Sequence, residues 1–162
     1  MKQKHTIKSF FDKNSKILIL GSFPSVKSRE QGFFYGHNQN RFWKTICAVF
    51  NQIEPKTIDE KKEFLLKNNI ALWDVIAECD INGSADSSIK NVVPNDISII
   101  TNFCDIKMIF TNGKTADKLY NKYIFPKNNK TAICLPSTSP ANAKFSLEDL
   151  IEEWQLIKNY IN

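Results

Sequence analysis

Uncharged hydrogen-bonding side chains crowd one short stretch of the chain, residues 35–43 (YGHNQNRFW). Three carboxamides and one of the two histidines come just before a Phe-Trp pair, which is typical of the start of a buried helix. Amide groups donate and accept hydrogen bonds without carrying charge. The stretch therefore suits recognition of a neutral polar group, and Asn40 is the amide that the helix would hold in place.

A second polar stretch, residues 137–144 (STSPANAK), combines small hydroxyl side chains, a proline and a lysine. Hydroxyl and backbone N–H groups bind the phosphates of nucleic acids, and Lys144 adds a cation. An ordinary structural loop explains the same composition, so both interpretations stay open here.

Residues 21–25 (GSFPS) follow an apolar run but contain neither a P-loop nor a G-x-G-x-x-G pattern. Their serines lack the G-x-S-x-G context of a hydrolase nucleophile, and His37 is the only candidate base. The stretch is either a plain turn or a loop whose backbone N–H groups point at an anion or a carbonyl oxygen.

Two further polar residues stand near the ends of apolar runs. Asp74 is costly there unless it is paired, so it is either a structural hydrogen-bond partner or a ligand contact. Asn112 precedes a glycine, a pair that most often forms a turn.

Four short apolar runs predict the strands that position these residues, at 16–20, 70–76, 107–111 and 131–135. Helices are predicted from 41 to 50, from a capping box at 57–60, from 94 to 103, from about 114 to 123 and from a capping box at 146–149. Loops are predicted at 22–39 and 79–91. This alternation indicates an α/β fold with a parallel sheet covered on both faces, whose ligands bind beyond the carboxyl ends of the strands.

The bulk composition fits a small globular protein. We expect a single domain over residues 1–162, since 42% of them are hydrophobic and no linker or repeat divides them. The net charge of +5 is compatible with a polyanionic partner but does not demonstrate one. No apolar run is long enough to span a membrane, and the basic N-terminus lacks the apolar core of a secretory signal. We therefore expect a cytoplasmic protein, nucleoid-associated in a prokaryote.

The remaining chemical signals are mostly negative. The four cysteines, Cys47, Cys79, Cys104 and Cys134, lie far apart and predict reduced thiols. The sequence offers no metal-ligand spacing and no paired catalytic carboxylates, so we expect neither a metal nor another cofactor.

Taken together, the polar segments resemble the hypoxanthine-DNA glycosylase branch of the uracil-DNA glycosylase superfamily. The resemblance covers about residues 15–160 and rests on five motifs, at 21–25 (GSFPS), 35–43 (YGHNQNRFW), 72–75 (LWDV), 111–113 (TNG) and 135–142 (LPSTSPAN). It implies a three-layer α/β/α sandwich with a four-stranded parallel sheet, which agrees with the strands counted above.

The resemblance also implies roles for individual residues. Many superfamily members have Asn or Asp at the third position of the first motif, where this chain has Phe23. In the hypoxanthine branch the catalytic asparagine matches Asn40 instead, and Tyr35 matches the aromatic that stacks on the extruded base. The implied base-binding residues are Gly21, Ser22, Phe23, Tyr35, His37, Asp74 and Asn112. The implied DNA-binding residues are Ser137, Thr138, Ser139, Pro140, Ala141, Asn142 and Lys144.

The implied activity is that of a monomeric, monofunctional DNA glycosylase of base excision repair that removes hypoxanthine, with uracil as a further candidate base. We expect the Asn40 oxygen to orient water and stabilise the cationic sugar, while N–H groups near Ser22 and Phe23 stabilise the base oxygen. Two alternatives stay open: a non-catalytic damaged-DNA-binding module, because of Phe23, and an unrelated small-molecule enzyme with the same kind of sheet.

Overall fold

The computed structural model describes residues 2–162 and contains two β-sheets. In chain order the strands are β1 (Lys2–Lys4), β2 (Ile17–Gly21), β3 (Ile70–Asp74), β4 (Ile76–Asp80), β5 (Lys90–Pro94), β6 (Met108–Asn112) and β7 (Ala132–Leu135). One sheet is parallel, in the order β3-β2-β6-β7, and the other is antiparallel, in the order β1-β4-β5. The predicted α/β fold with a four-stranded parallel sheet is confirmed.

Helices connect most of the strands. They are α1 (Val26–Gln31), α2 (Phe42–Val49), α3 (Ile58–Lys67), α4 (Ser98–Thr101), α5 (Lys114–Tyr123), α6 (Phe125–Asn128) and α7 (Leu147–Trp154), with 3-10 turns at Asp86–Ser88 and Gln155–Tyr160. Both predicted capping boxes are present, Thr57 with Glu60 at the start of α3 and Ser146 with Asp149 at the start of α7. These reciprocal bonds satisfy backbone donors that a helix start would otherwise leave unpaired.

The parallel sheet separates two hydrophobic cores, because successive side chains of a strand point to opposite faces. Ile17 and Ile19 of β2 face a core that contains side chains of α2, α3 and α7. Leu18 and Leu20 face a second core formed with α4, α5 and β4. Every residue of β2 is buried, which explains why this strand is apolar throughout.

The antiparallel sheet differs from the sequence expectation. Residues 79–91 were predicted as a loop, but they contain the end of β4, the turn Asp86–Ser88 and the start of β5. The run at 70–76 is divided at Val75 between β3 and β4. Strand β5 has exposed and half-buried residues, and its pairing with β4 is interrupted by register shifts. A strand of this kind has no apolar run to announce it.

Three smaller differences concern helices. The predicted loop at 22–39 contains α1, which starts at the N-cap Ser25 and ends at Gly32 with a φ of 79°. The helix predicted from 94 to 103 is reduced to the single turn of α4. The last helix continues beyond α7 only as a 3-10 turn.

Among the described residues, no helix is long and apolar enough to cross a membrane. All four cysteines are free thiols; Cys134 is exposed and the other three are buried. Burial raises the pKa of each thiol, so none is an activated nucleophile.

Candidate active site

The carboxyl ends of the parallel strands bring the predicted polar segments to one edge of the sheet. Gly21 ends β2 and lies in register with Asp74, which ends β3. Asn112 ends β6 and lies in register with Leu135, which ends β7. The loops that follow β2, β6 and β7 therefore start side by side.

Gly21 is in close contact with two polar side chains of the site. A Cβ atom at this position would collide with the Asp74 carboxylate and lie 3.1 Å from the Tyr35 hydroxyl oxygen. Only glycine leaves room for both groups, so Gly21 allows Asp74 and Tyr35 to converge.

His5 pairs with Asp74 and is a site residue that the sequence argument missed. Its Nε2 atom lies 2.8 Å from Asp74 Oδ2, and the two side chains are only 4% and 5% exposed. His5 follows β1 directly, and its ring packs near Phe23, Phe34 and Trp73 with centroid distances of 6.0, 6.2 and 6.4 Å. Asp74 therefore has a structural hydrogen-bond partner, and its predicted contact with a ligand stays a prediction.

Tyr35 presents an aromatic platform with a rigid backing. Its ring stacks on Phe42 with a centroid distance of 4.0 Å and an interplanar angle of 19°. Its backbone has a φ of 55°, which is uncommon for a large side chain and indicates that the surroundings impose the conformation. Burial, followed by the nearby Asp74 carboxylate, raises the pKa of the Tyr35 hydroxyl far above its usual value, so the group stays protonated.

The Tyr35 hydroxyl is also a buried polar group without a hydrogen-bond partner of good geometry within residues 2–162, although the nearby Asn112 side chain acts to lower its pKa. A buried orphan of this kind is unusual in a folded protein and often marks a functional site.

Asn40 is held by a chain of hydrogen bonds that links three segments. Asn112 Nδ2 donates to Thr138 Oγ1 at 3.0 Å, and Thr138 Oγ1 in turn lies 2.8 Å from Asn40 Oδ1. The Phe42 backbone N–H donates to the same Asn40 oxygen at 2.9 Å. The backbone N–H of Thr138 also donates to Asn112 Oδ1 at 3.0 Å. The end of β6, the loop after β7 and the start of α2 are thereby fixed relative to one another.

These hydrogen bonds bear on the role that we expected for the Asn40 side chain. We expected its amide oxygen to orient water, but that oxygen already accepts two hydrogen bonds. The Nδ2 atom has no partner among the residues that the structure describes, and it is not buried. The amide therefore presents a donor, not an acceptor, to its surroundings.

Thr138 and Asn112 also have roles other than the predicted ones. Thr138 is fully buried, so its hydroxyl cannot lie on the DNA-facing surface where the sequence argument put it. The Asn112 amide is engaged with Thr138 through both its oxygen and its nitrogen. Both side chains support Asn40 from behind.

Arg41 fastens the loop after β7 to the start of α2, and the sequence argument missed it. Its guanidinium donates to the backbone carbonyls of Phe145, Ser139 and Asn142, at 3.4 Å for Ser139 and 2.9 Å for Asn142. Its own backbone N–H donates to the Thr138 carbonyl at 3.0 Å. Five N–H donors in a fixed fork make arginine suited to such a clamp.

In the remainder of the predicted DNA-binding loop, some residues are fixed by internal hydrogen bonds and others form an exposed tip. Asn142 Nδ2 donates to the Ser137 carbonyl at 2.9 Å, and Ser139 N donates to Ser137 Oγ at 3.1 Å. Pro140, Ala141 and Lys144 are exposed. The tip is thus accessible to a partner, while Ser137, Ser139 and Asn142 are joined by hydrogen bonds within the loop.

His37 lies in a tight local turn next to these groups. Its Nδ1 atom accepts a hydrogen bond from the Gln39 backbone N–H at 3.1 Å, and its carbonyl accepts one from Asn40 N at 2.9 Å. It is half-buried, while Asn38 and Gln39 are exposed. The observed contacts of His37 are structural ones.

The first motif presents backbone rather than side-chain groups. The Phe23 side chain is buried in the second core, with the Arg29 guanidinium 5.3 Å from its ring centre, and its predicted contact with a base stays a prediction. Within the described part of the chain, no backbone carbonyl outside the regular ladders accepts from the N–H of Ser22 or Phe23. The expectation that these two donors face a carbonyl oxygen or an anion stays a prediction.

Asp86 is a third missed residue. Ser22 Oγ donates to Asp86 Oδ1 at 3.1 Å, across 64 residues of sequence. The residue is exposed overall, but its carboxyl group faces protein on the Ser22 side. Burial of that group, together with the Asp74 charge, raises the pKa of Asp86, while the Ser22 hydrogen bond lowers it.

Within residues 2–162 no three His, Cys, Asp or Glu side chains are grouped so as to hold a metal ion. The polar and aromatic groups described at this edge are the Tyr35 ring, the fixed Asn40 amide, the His5–Asp74 pair and the N–H groups after β2. Of the residues that the sequence argument missed, His5 could have been considered because it is one of only two histidines in the sequence. Arg41 and Asp86 offered no such signal, since a surface charge would look the same.

Known proteins resemble the chain along nearly its whole length. The sequence profile of the Uracil DNA glycosylase superfamily matches residues 8–158. A protein of Methanosarcina acetivorans named Hypoxanthine DNA glycosylase is 32% identical over 156 residues, which is 95% of this chain and 97% of that protein. Its namesake from Methanosarcina barkeri is 32% identical over 145 residues, 88% and 90% of the two chains.

A solved structure agrees with these sequence matches. It is a solution NMR structure from Methanosarcina acetivorans, described as that of a candidate uracil DNA glycosylase. It superimposes with a TM-score of 0.79 at 29% identity and covers 98% of this chain and 99% of its own.

Proposed function

Because the chain belongs to the uracil DNA glycosylase superfamily, we propose that it is a DNA glycosylase that hydrolytically removes hypoxanthine, and secondarily uracil, from DNA. The observation that carries this proposal is the pairing of a backed aromatic platform, Tyr35, with a rigidly held amide, Asn40, at the carboxyl edge of the sheet. The base named in the two archaeal relatives supports hypoxanthine as the preferred substrate.

The target bond is inaccessible inside a duplex, so the nucleotide must be flipped into the site. Flipping costs a few kcal/mol, and less for a mispaired base. Phe42 stacks on one face of the Tyr35 ring, and the proposal assigns the opposite face to the extruded base. Stacking on such a platform is worth about 1–3 kcal/mol per base.

The exposed tip of the loop after β7, at Pro140 and Ala141, suits the role of a wedge that occupies the vacated space in the duplex. Lys144 stands on the same loop and would contact a phosphate. The Arg41 clamp keeps this tip at a fixed height above the sheet, so insertion needs little reordering of the loop.

Selectivity would come from the donors at the end of β2. Hypoxanthine carries a carbonyl oxygen where adenine carries an amino group. The N–H groups of Ser22 and Phe23 would donate to the hypoxanthine oxygen and would meet the adenine amino group donor to donor. A mismatch of this kind between buried polar groups discriminates strongly.

The reaction breaks the bond between the sugar C1′ and the base nitrogen. The electron pair leaves with the base, which is then protonated, and water adds its oxygen to C1′ and loses a proton to solvent. The sugar passes through an oxocarbenium-like state while negative charge grows on the base. Backbone donors aimed at the base oxygen stabilise that charge, and one such donor can be worth about 3–4 kcal/mol.

The test uses duplex oligonucleotides with a single inosine, a single uracil or only normal bases. We expect the wild-type protein to release hypoxanthine and leave an abasic site. Asn40→Ala should lower release by about 100-fold or more while duplex binding stays nearly unchanged. Wild-type-like turnover in that variant would exclude Asn40 from the chemistry.

The second candidate function, a damaged-DNA-binding module without cleavage, is favoured by one observation: Phe23 stands where many superfamily members carry Asn or Asp. The same experiment separates the two functions. Retention of inosine-containing duplex by the wild-type protein, with no abasic site formed, would support the binding module and reject the glycosylase.

A further inference from the structure

The direction of the hydrogen bonds around Asn40 follows from chemistry. A backbone N–H is always a donor, so the Asn40 atom that faces Phe42 N at 2.9 Å must be the amide oxygen. The Thr138 hydroxyl accepts the Asn112 Nδ2 proton and therefore directs its own proton to the same Asn40 oxygen. The Asn40 amide has one orientation that satisfies every partner.

Burial strengthens this constraint. Thr138 is fully buried, so no bulk water competes for its hydroxyl. Rotating the Asn40 amide by half a turn would set its NH₂ group against the Phe42 N–H, donor to donor. The Nδ2 atom is thus held outward, at the site edge of the sheet.

We infer that Asn40 acts on the substrate as a hydrogen-bond donor through Nδ2, and that Thr138 is the positioning residue that fixes this orientation. The inference rests on the proposed function, since it assigns an atom and a support to that same reaction. An amide donor beside the sugar would oppose the growing positive charge. Beside the departing base it stabilises the growing negative charge, so its target is an acceptor atom of that base.

The first experiment exchanges the atom at issue. Asn40→Asp keeps an oxygen for Phe42 N and Thr138 Oγ1 and replaces Nδ2 by oxygen. We expect single-turnover release of hypoxanthine at neutral pH to fall by about 100- to 1000-fold, as on loss of one such donor. The rate should recover at acid pH, because the introduced carboxyl becomes a donor when it is protonated.

The opposite pH slope would overturn the inference. If the variant releases base at the wild-type rate or faster at neutral pH, and more slowly as the pH falls, the substrate needs an acceptor at this position. Enzyme-free inosine duplex at each pH corrects for spontaneous base loss.

The second experiment tests Thr138 without changing Asn40. Thr138→Val removes the hydroxyl at nearly constant shape and should lower the single-turnover rate about 10- to 100-fold, with duplex affinity unchanged. Thr138→Ser restores the hydroxyl and should recover most of the rate. A merely structural effect of the valine would not be reversed in this way.

Thr45→Val is the matched control, because it replaces another buried threonine by valine outside the hydrogen bonds of Asn40. The Thr45 side chain is also fully buried, and its hydroxyl has no hydrogen-bond partner among the described residues. Thr45→Val should leave the rate unchanged, and thermal unfolding checks that all variants are folded. A wild-type rate for Thr138→Val, or equal losses for its Val and Ser variants, would overturn the role of Thr138 while the proposed glycosylase stands. A wild-type protein that releases no base would overturn both.

Discussion

The two sheets contribute to the site in different physical ways. The parallel sheet is apolar and buried, and it determines where Gly21, Asp74 and Asn112 end their strands. The small antiparallel sheet brings polar partners to those ends: His5 after β1 pairs with Asp74, and Asp86 between β4 and β5 pairs with Ser22. The parallel sheet thus determines where the site residues lie, and the antiparallel sheet supplies hydrogen-bond partners for Asp74 and Ser22.

The largest expected effect is a loss of stability on removal of the buried polar contact between the two sheets, His5 with Asp74. His5→Ala leaves the Asp74 carboxylate buried without its partner, which typically costs about 3–5 kcal/mol. Urea unfolding measures the loss. The control is Lys2→Ala in β1, whose pair with Glu78 spans 3.5 Å and whose own side chain is 67% exposed, so it should change stability by about 0–1 kcal/mol. Equal losses for the two variants would contradict a special role for the buried pair.

A smaller effect is expected on the parallel-sheet side of the same contact. Gly21→Ala pushes a methyl group into the Asp74 carboxylate and towards the Tyr35 hydroxyl, and overpacking of this kind costs about 1–3 kcal/mol. Displacement of Tyr35 should also slow base release. Gly83→Ala meets no atom within 4 Å but has a positive φ of 60°, so it should lower stability without affecting release. Normal release by Gly21→Ala would show that the site tolerates a shifted platform.

The contact between Ser22 and Asp86 predicts a pH-dependent effect of modest size. Because the pKa of Asp86 is raised in the folded state, its stabilising contribution is present at acid pH and is lost as the pH rises through that pKa. Asp86→Asn should therefore be more stable than wild type at neutral pH and lose this advantage below about pH 4.

Asp96 provides a control of the opposite sign for this measurement. Hydrogen bonds from Ser98 lower the pKa of Asp96, so Asp96→Asn should be less stable than wild type at neutral pH and equal to it in acid. Thermal unfolding across pH measures both variants. The same sign for both would contradict the electrostatic account of the small sheet.

The smallest expected effect is on DNA affinity and concerns a basic surface between β5 and α5. A cavity of about 520 Å³ between β5 and α5 is lined by Lys90, Lys118 and Lys122 among others. If flanking DNA passes here, Lys118→Ala should weaken binding of every duplex alike and reduce the salt dependence of affinity by about one charge. Lys67→Ala, in the last turn of α3, is the control on another face. An unchanged salt slope for Lys118→Ala would exclude this path for the DNA.

The sequence was informative where burial imposes a pattern. The four parallel strands were predicted because buried strands are continuous apolar runs, and α3 and α7 because a capping box is a local signal. The antiparallel sheet was missed because its residues alternate irregularly between polar and apolar and its register shifts. No local pattern marks such pairing.

The site was only partly predictable for a related reason. Its segments could be identified by composition, but the partners of Asn40 and Asp74 lie 98 and 69 residues away along the chain. Which atom of an amide is free depends on those distant partners. The sequence argument named Asn40 but could not foresee that its oxygen accepts two hydrogen bonds, and it placed Thr138 on a surface where the structure buries it.

The Arg41 clamp has a consequence for how the loop after β7 could change over time. Its guanidinium binds only main-chain oxygens, those of Phe145, Ser139 and Asn142, and so does its backbone N–H. These contacts hold the main chain on both sides of the tip, together with the hydrogen bonds that the Ser137 and Ser139 hydroxyls accept. The Ala141 side chain makes none of these hydrogen bonds, so we expect its replacement to leave Asn40 in place. The exposed loop tip is therefore the place where substitutions should alter the preference for the surrounding DNA sequence while the bonded centre around Asn40 is kept.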